Sequence, residues 1–171
     1  SVLDNDLGDY VKEINILKNL TTLDISANIY YNPNCDPCNN IDKLKNLKSL
    51  RCYNNELNNV QIIDICKLIN LLNLDIDNNN IGTMGAKEIT KLKNLISLSI
   101  SDNNILCIGA KYISTMIKLK ELNISRNKIK TCGAKEIIKL VNLKTLNITN
   151  NEITTEGQNI LVQLINTTMR L

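Results

Sequence analysis

The chain contains no histidine. That absence removes the commonest general base, the Ser–His and Cys–His nucleophile pairs, and every histidine-ligated metal site. Tryptophan and phenylalanine are also missing, so the core must be built from the 25 leucines and 26 isoleucines. No apolar run approaches the roughly 20 residues that a membrane-spanning helix needs, and no membrane insertion is expected. A net charge of +3 is too small to argue for nucleic acid. No glycine-rich phosphate loop is present, since the Gly-Ala pairs at 85, 109 and 133 recur at a fixed interval and read as structural. The order of a secretory signal (basic, apolar, small) does not open the chain. What remains is 171 residues, 43% hydrophobic and 22% charged, the size and balance of one folded domain.

Asparagine is abundant, with 29 copies, and lysine outnumbers arginine 17 to 3. Together with the excess of isoleucine this bias points to an AT-rich genome, of a low-GC bacterium or a protist. The sequons at Asn19, Asn123, Asn147 and Asn166 are about what such a composition gives by chance. Residue 1 is Ser, and the first segment, 1–19, already reads as part of a repeat. A fragment of a longer protein, or a processed form, is expected.

The repeat carries the information. Leu23, Leu50, Leu74, Leu98, Leu122 and Leu146 are separated by 27 residues once and by 24 four times. Two positions after each stands Ile25, Cys52, Ile76, Ile100, Ile124 or Ile148. Three further on stands an asparagine every time: Asn28, Asn55, Asn79, Asn103, Asn127 and Asn151. The L-x-[I/C] alternation has period two, which predicts a short strand with one buried face. Asparagine joins a donor and an acceptor in one short side chain. At a buried turn it can satisfy backbone groups of its own and the adjacent coil, so six copies in register predict a ladder. The strings 85–92, 109–116 and 133–140 place Ala86, Ile89 and Leu92, with their counterparts, at helical spacing. Gly85, Gly109 and Gly133 are expected to open those helices, with Lys87, Lys111 and Lys135 facing solvent.

These residues resemble leucine-rich repeats, with the signature L-x-x-L-x-L-x-x-N, from about residue 3 to about 165. The Gly-Ala pairs are similar to the ribonuclease-inhibitor-like subclass and to bacterial and protist arrays. The resemblance implies one α/β domain over 1–171, a right-handed horseshoe solenoid of about six repeats. Parallel strands line its concave side and short helices its convex side. Two departures stand out: a loop insertion over 30–40, and an atypical terminal helix at about 156–166.

Six cysteines raise three chemistries. Cys35-Asp-Pro-Cys38 has the spacing of a redox pair, but it falls in a loop insertion. Cys35, Cys38, Cys52 and Cys66 are spaced loosely like a zinc ribbon. Cys52 takes the buried strand position, which spoils that reading. A Cys35–Cys38 disulfide stays open if the compartment is oxidising. The preferred reading makes the cysteines free, small apolar fillers in a reducing cytoplasm, and a secreted microbial effector remains the alternative. No cofactor, metal or catalytic residue is expected.

Binding is expected on the concave face, where most outward residues are small and polar. Arg51 and Tyr53 are residue types favoured as interface anchors, and Leu72 and Ile96 would give them a dry centre. Asp75, Asp77 and Asp102 could be read as a calcium site, but an acidic rim that steers a basic partner is preferred. The convex lysines read as a solvated helix face. The sequence therefore predicts a non-catalytic protein–protein interaction module whose partner is another protein. A structural spacer, or an autoinhibitory or substrate-recruiting domain of a larger enzyme or effector, is the alternative.

Overall fold

A computed structural model describes residues 11–14, 16–28, 38 and 40–168. The repeated tripeptide forms six three-residue strands: β1 Thr22–Asp24, β2 Ser49–Arg51, β3 Asn73–Asp75, β4 Ser97–Ser99, β5 Glu121–Asn123 and β6 Thr145–Asn147. They pair in chain order, all parallel. The anchor leucines lie opposite one another, from Leu23 against Leu50 through to Leu122 against Leu146. The 27-residue first step therefore closes in the same register as the 24-residue steps. Its extra residues fall in the 30–40 insertion, of which only Cys38 and Asn40 are described.

Between strands the chain crosses to the opposite side through a 3-10 turn at Ile41–Lys43, α2 Gln61–Ile65, α3 Gly82–Ile89, α4 Leu106–Ile113 and α5 Lys130–Ile137, while α1 Val11–Ile14 precedes β1 and α6 Thr155–Thr168 follows β6. From the 3-10 turn onward each helix packs on the next, as each strand pairs with the next. One core runs the length of the solenoid between the two layers. Ile25, Cys52, Ile76, Ile100 and Ile124 contribute from the strand side, and Ile65, Ile89, Ile113 and Ile137 from the helices, all fully buried. Each buried isoleucine stabilises the fold by roughly 1.5–3 kcal/mol relative to exposure.

The asparagines close this stack on one side. The Asn127 Oδ1 accepts hydrogen bonds from the backbone N–H of Asn103 (2.9 Å) and of Ile105 (3.1 Å). Its Nδ2 donates to the carbonyls of Ile100 (2.7 Å), Ile124 (3.2 Å) and Ser125 (3.0 Å). The same arrangement links Asn28 to Asn55, Asn55 to Asn79, and Asn127 to Asn151 through backbone N–H and side-chain oxygen. Asn103 Oδ1 accepts from the N–H of Ile81. A one-residue turn of the ladder also starts the helices. Gly82, Leu106 and Lys130, the first residues of α3, α4 and α5, have φ of 64°, 62° and 58°. Their N–H groups bond to the carbonyls of Asn103, Asn127 and Asn151. A left-handed conformation costs a non-glycine residue roughly 1–2 kcal/mol, and that bond from the next repeat offsets it at Leu106 and Lys130.

Two helix expectations are corrected. Gly85, Gly109 and Gly133 do not open the helices but stand fourth in each, because the turn after the ladder enters the helix three residues earlier. Their smallness serves packing: a Cβ on Gly109 would lie 3.3 Å from the Ala86 Cβ, and one on Gly133 would lie 3.0 Å from the Ala110 Cβ. The Gly-Ala pair of one repeat thus seats on that of the next. The terminal helix is longer than the expected 156–166, running from Thr155 to Thr168.

The expectation of free thiols also needs correction. Cys107 on α4 and Cys132 on α5 are joined as a disulfide, with Cα atoms 5.8 Å apart. They are 25 residues apart rather than 24, so they sit one position out of register and the repeat alignment hides the pairing. Cys38, Cys52 and Cys66 are buried. Burial pushes the Cys66 thiol up to about 12 and the Cys52 thiol higher still, so neither supplies a thiolate near neutral pH. Cys35 lies outside the described residues.

Candidate functional site: the outward face of the sheet

A three-residue parallel strand buries its central leucine and turns its two flanking residues outward. Stacking at the same register therefore aligns Asp24, Arg51 and Asp75 in one row across β1, β2 and β3. Arg51 is held between the two carboxylates, with Nη1 3.6 Å from Asp24 Oδ2 and Nε 3.3 Å from Asp75 Oδ2. Its guanidinium carbon lies 5.4 Å from the centroid of the Tyr53 ring, within cation–π range. The Arg51 side chain remains half exposed. Beside it lies a shallow cavity of about 220 Å³, lined by Ser49, Arg51, Asn73, Asp75, Ser97 and Ser99 among others.

The row continues as a hydrogen-bond network on β3 to β5. Asp77 accepts from the Ser99 hydroxyl at 2.7 and 2.8 Å, from the N–H of Ser101 at 2.6 Å and from Asn123 Nδ2 at 3.2 Å. Asn123 Nδ2 also donates to the Ser99 oxygen, and the hydroxyls of Ser101 and Ser125 meet at 2.8 Å. Burial pushes the Asp77 carboxyl above the ordinary carboxylate range, and its hydrogen bonds oppose that shift. Asp77 is thus committed to holding neighbouring strands together, while the carboxylates of Asp24 and Asp75 serve Arg51. Asp102 stands apart, exposed in the turn after β4.

Arg51, Tyr53, Asp75 and Asp77 therefore come together. Leu72 and Ile96 do not join them. Both are half-buried and immediately precede β3 and β4. Ile96 lines a separate hollow with Ile117, Lys118, Lys120, Asn142 and Lys144, at the edge where helices return to strands. A period of two groups them with the buried Leu74 and Leu98, two residues later, and not with the outward residues that flank those leucines. The sequence reading also overlooked Asp24 as the second carboxylate on Arg51, although its place one residue after Leu23 matches that of Asp75 after Leu74.

A second row of asparagines was missed as well. Asn46, Asn70, Asn94 and Asn142 each donate Nδ2 to a carbonyl of the preceding repeat, those of Lys18, Lys45, Ile69 and Ile117, at 2.9–3.1 Å. Each precedes a core leucine by one residue (Leu47, Leu71, Leu95 and Leu143), a phase that was readable. In the fifth repeat Lys118 takes the place of this asparagine.

Among the described residues, no three His, Cys, Asp or Glu side chains are grouped to hold a metal ion. No helix among them is long and apolar enough to cross a membrane.

Residues 93–153 match the sequence model of the leucine rich repeat family. No curated protein matches the chain. Among solved structures, a leucine-rich repeat protein of Leptospira interrogans is 30% identical, with a TM-score of 0.69 over 90% of this chain and 37% of its own. An internalin of Listeria monocytogenes is 25% identical, with a TM-score of 0.71 over 90% of this chain and 41% of its own. The chain therefore spans well under half the length of either protein. The tropomodulin C-terminal domain of Caenorhabditis elegans shares the fold alone, at 11% identity and a TM-score of 0.52. The six in-register strands, the buried asparagines and these likenesses agree: the chain is a leucine-rich repeat protein.

Proposed function

We propose that this chain is a non-catalytic recognition module that binds a basic protein partner on the outward face of its sheet. Solenoids of this kind present extended concave surfaces to other proteins. The observation that carries the reading is the Arg51–Tyr53 pair, fixed between Asp24 and Asp75 yet half open to solvent. An arginine already held in place loses less side-chain freedom on binding. Arginine and tyrosine are also the types over-represented among interface residues that dominate affinity. Asp75 and the exposed Asp102 give the face an acidic character that would steer a basic partner towards it.

Capture from a cell lysate, read by mass spectrometry, tests this with three forms of the protein. Arg51→Glu/Tyr53→Ala removes both anchors from exposed or half-exposed positions and should leave the fold intact by circular dichroism. Lys87→Glu/Lys111→Glu changes the convex face instead. A partner retained by wild type and by the convex variant, and reduced at least about tenfold in the anchor variant, is the expected result; one truncated anchor of this type is worth about 2 kcal/mol or more. Equal capture by the anchor variant and wild type would refute the assignment of this face.

A further inference from the structure

The helix-to-strand edge of the solenoid carries a surface that the sheet face does not use. Three of its side chains, Ile69, Ile117 and Val141, are exposed to 61%, 65% and 61%. Ile117 lies between two hollows, of about 270 Å³ towards Leu92 and Leu95 and about 450 Å³ towards Ile96 and Asn142. The break in the second asparagine row falls here, where Lys118 replaces asparagine and reaches Asn94 Oδ1 at 3.4 Å. Around the hollows stand Lys93, Lys118, Lys120 and Lys144. Among the described residues none of the four has a carboxylate within ion-pair distance, whereas the nearby Lys91 and Lys139 are paired to Glu88 and Glu136. The segments 67–73, 91–97, 115–121 and 139–145, which build this edge, contain one carboxylate, Glu121, which accepts from the Ser97 hydroxyl on β4.

Aliphatic hollows ringed by unneutralised lysines are complementary to one kind of occupant. We propose that this edge docks an extended acidic segment of a partner protein, with aliphatic side chains seated on either side of Ile117 and carboxylates meeting Lys93, Lys118, Lys120 and Lys144. A purely polar polyanion would leave the hollows unfilled, and an apolar segment would leave four cations without counter-charges. The sheet face is acidic and would repel the same segment, so the two surfaces take partners of opposite sign. The inference stands independently of the function proposed for that face.

The test is fluorescence anisotropy with a labelled peptide of about twelve residues that alternates leucine with glutamate, in low salt. Polyglutamate and a leucine–lysine peptide serve as comparison probes, and phosphatidylserine–phosphatidylcholine vesicles test for a lipid surface. The leucine–glutamate peptide should bind wild type at least about tenfold tighter than polyglutamate. Binding should fall about tenfold in Lys118→Glu/Lys120→Glu and in Ile117→Ser, and should persist in Arg51→Glu/Tyr53→Ala. All five positions changed at the edge or anchor are exposed or half-exposed, and circular dichroism checks that each variant is folded. Raising the salt should weaken binding, because exposed charge pairs are screened. No binding of the peptide, equal binding of polyglutamate or of the leucine–lysine peptide, or binding of vesicles in preference to the peptide would each overturn the proposal. Loss of binding in the anchor variant alone would also overturn it, by moving the contact to the sheet face.

Discussion

Asn127→Ala should lower the free energy of unfolding by about 3 kcal/mol, since a buried polar group left without a partner costs roughly 1–3 kcal/mol. Asn127 is fully buried, and its side chain makes five hydrogen bonds to the backbone of two successive coils, its own and the preceding one. Removing its side chain strands two N–H groups, on Asn103 and Ile105, and leaves three carbonyls short of a donor. Water entering the vacated space would restore some of these bonds, which is why the expected loss is not the full sum. The comparison is Asn142→Ala, in the second asparagine row. Asn142 makes a single bond to the Ile117 carbonyl at an exposed position, where water replaces it at little cost. Its substitution should cost under about 1 kcal/mol, the typical net worth of one hydrogen bond. Urea denaturation of both variants checks this. Equal midpoints for the two would show that the buried asparagines do not hold the coils together.

Gly133→Val should cost about 3 kcal/mol, the upper part of the range for overpacking a filled core. Backbone strain is not the cause, because Gly133 lies inside α5 without a positive φ. Helix propensity even favours replacement, by up to about 1 kcal/mol for alanine. Packing decides the sign: a Cβ at this position would lie 2.6 Å from the Ile129 Cβ and 3.0 Å from the Ala110 Cβ. The first contact is within the repeat and the second joins α5 to α4, so neither neighbour can give way without opening the solenoid. Gly133→Ala should therefore destabilise by about 1 kcal/mol despite its better propensity, with valine worse because its branched methyl groups extend the clash. Thermal melts of the two variants measure it. A raised melting temperature for Gly133→Ala would show that the helices are separated enough to admit a methyl group.

Much of this architecture is legible in the sequence because a repeat states each structural demand several times. One L-x-I-x-x-N string is weak, but six at fixed phase determine the strand, its buried face and its register with the next strand. The departures have identifiable physical causes. The helix starts escaped because a left-handed residue precedes the apolar spacing, and Leu106 and Lys130 give no compositional sign of that conformation. The Cys107–Cys132 pair escaped because it is one residue out of register with the repeat. Leu72 and Ile96 were placed on the sheet face against the alternation, which groups them with the buried Leu74 and Leu98 two residues later. On the sheet face itself, Arg51, Tyr53 and Asp75 could be read as neighbours from phase alone. The role of Asp77 could not, because its commitment to Ser99, Ser101 and Asn123 depends on side-chain directions across two strand junctions.

The most direct measurement is site-specific photo-crosslinking, with p-benzoyl-phenylalanine placed in turn at Tyr53 on the sheet face, at Ile117 on the lateral edge and at Lys111 on the convex side. The expected result is a discrete adduct with a basic protein from the Tyr53 position. Its yield should be abolished by Arg51→Glu, and Lys111 should give no adduct with that protein. The same partner captured from Lys111 but not from Tyr53 would contradict recognition through the outward face of the sheet.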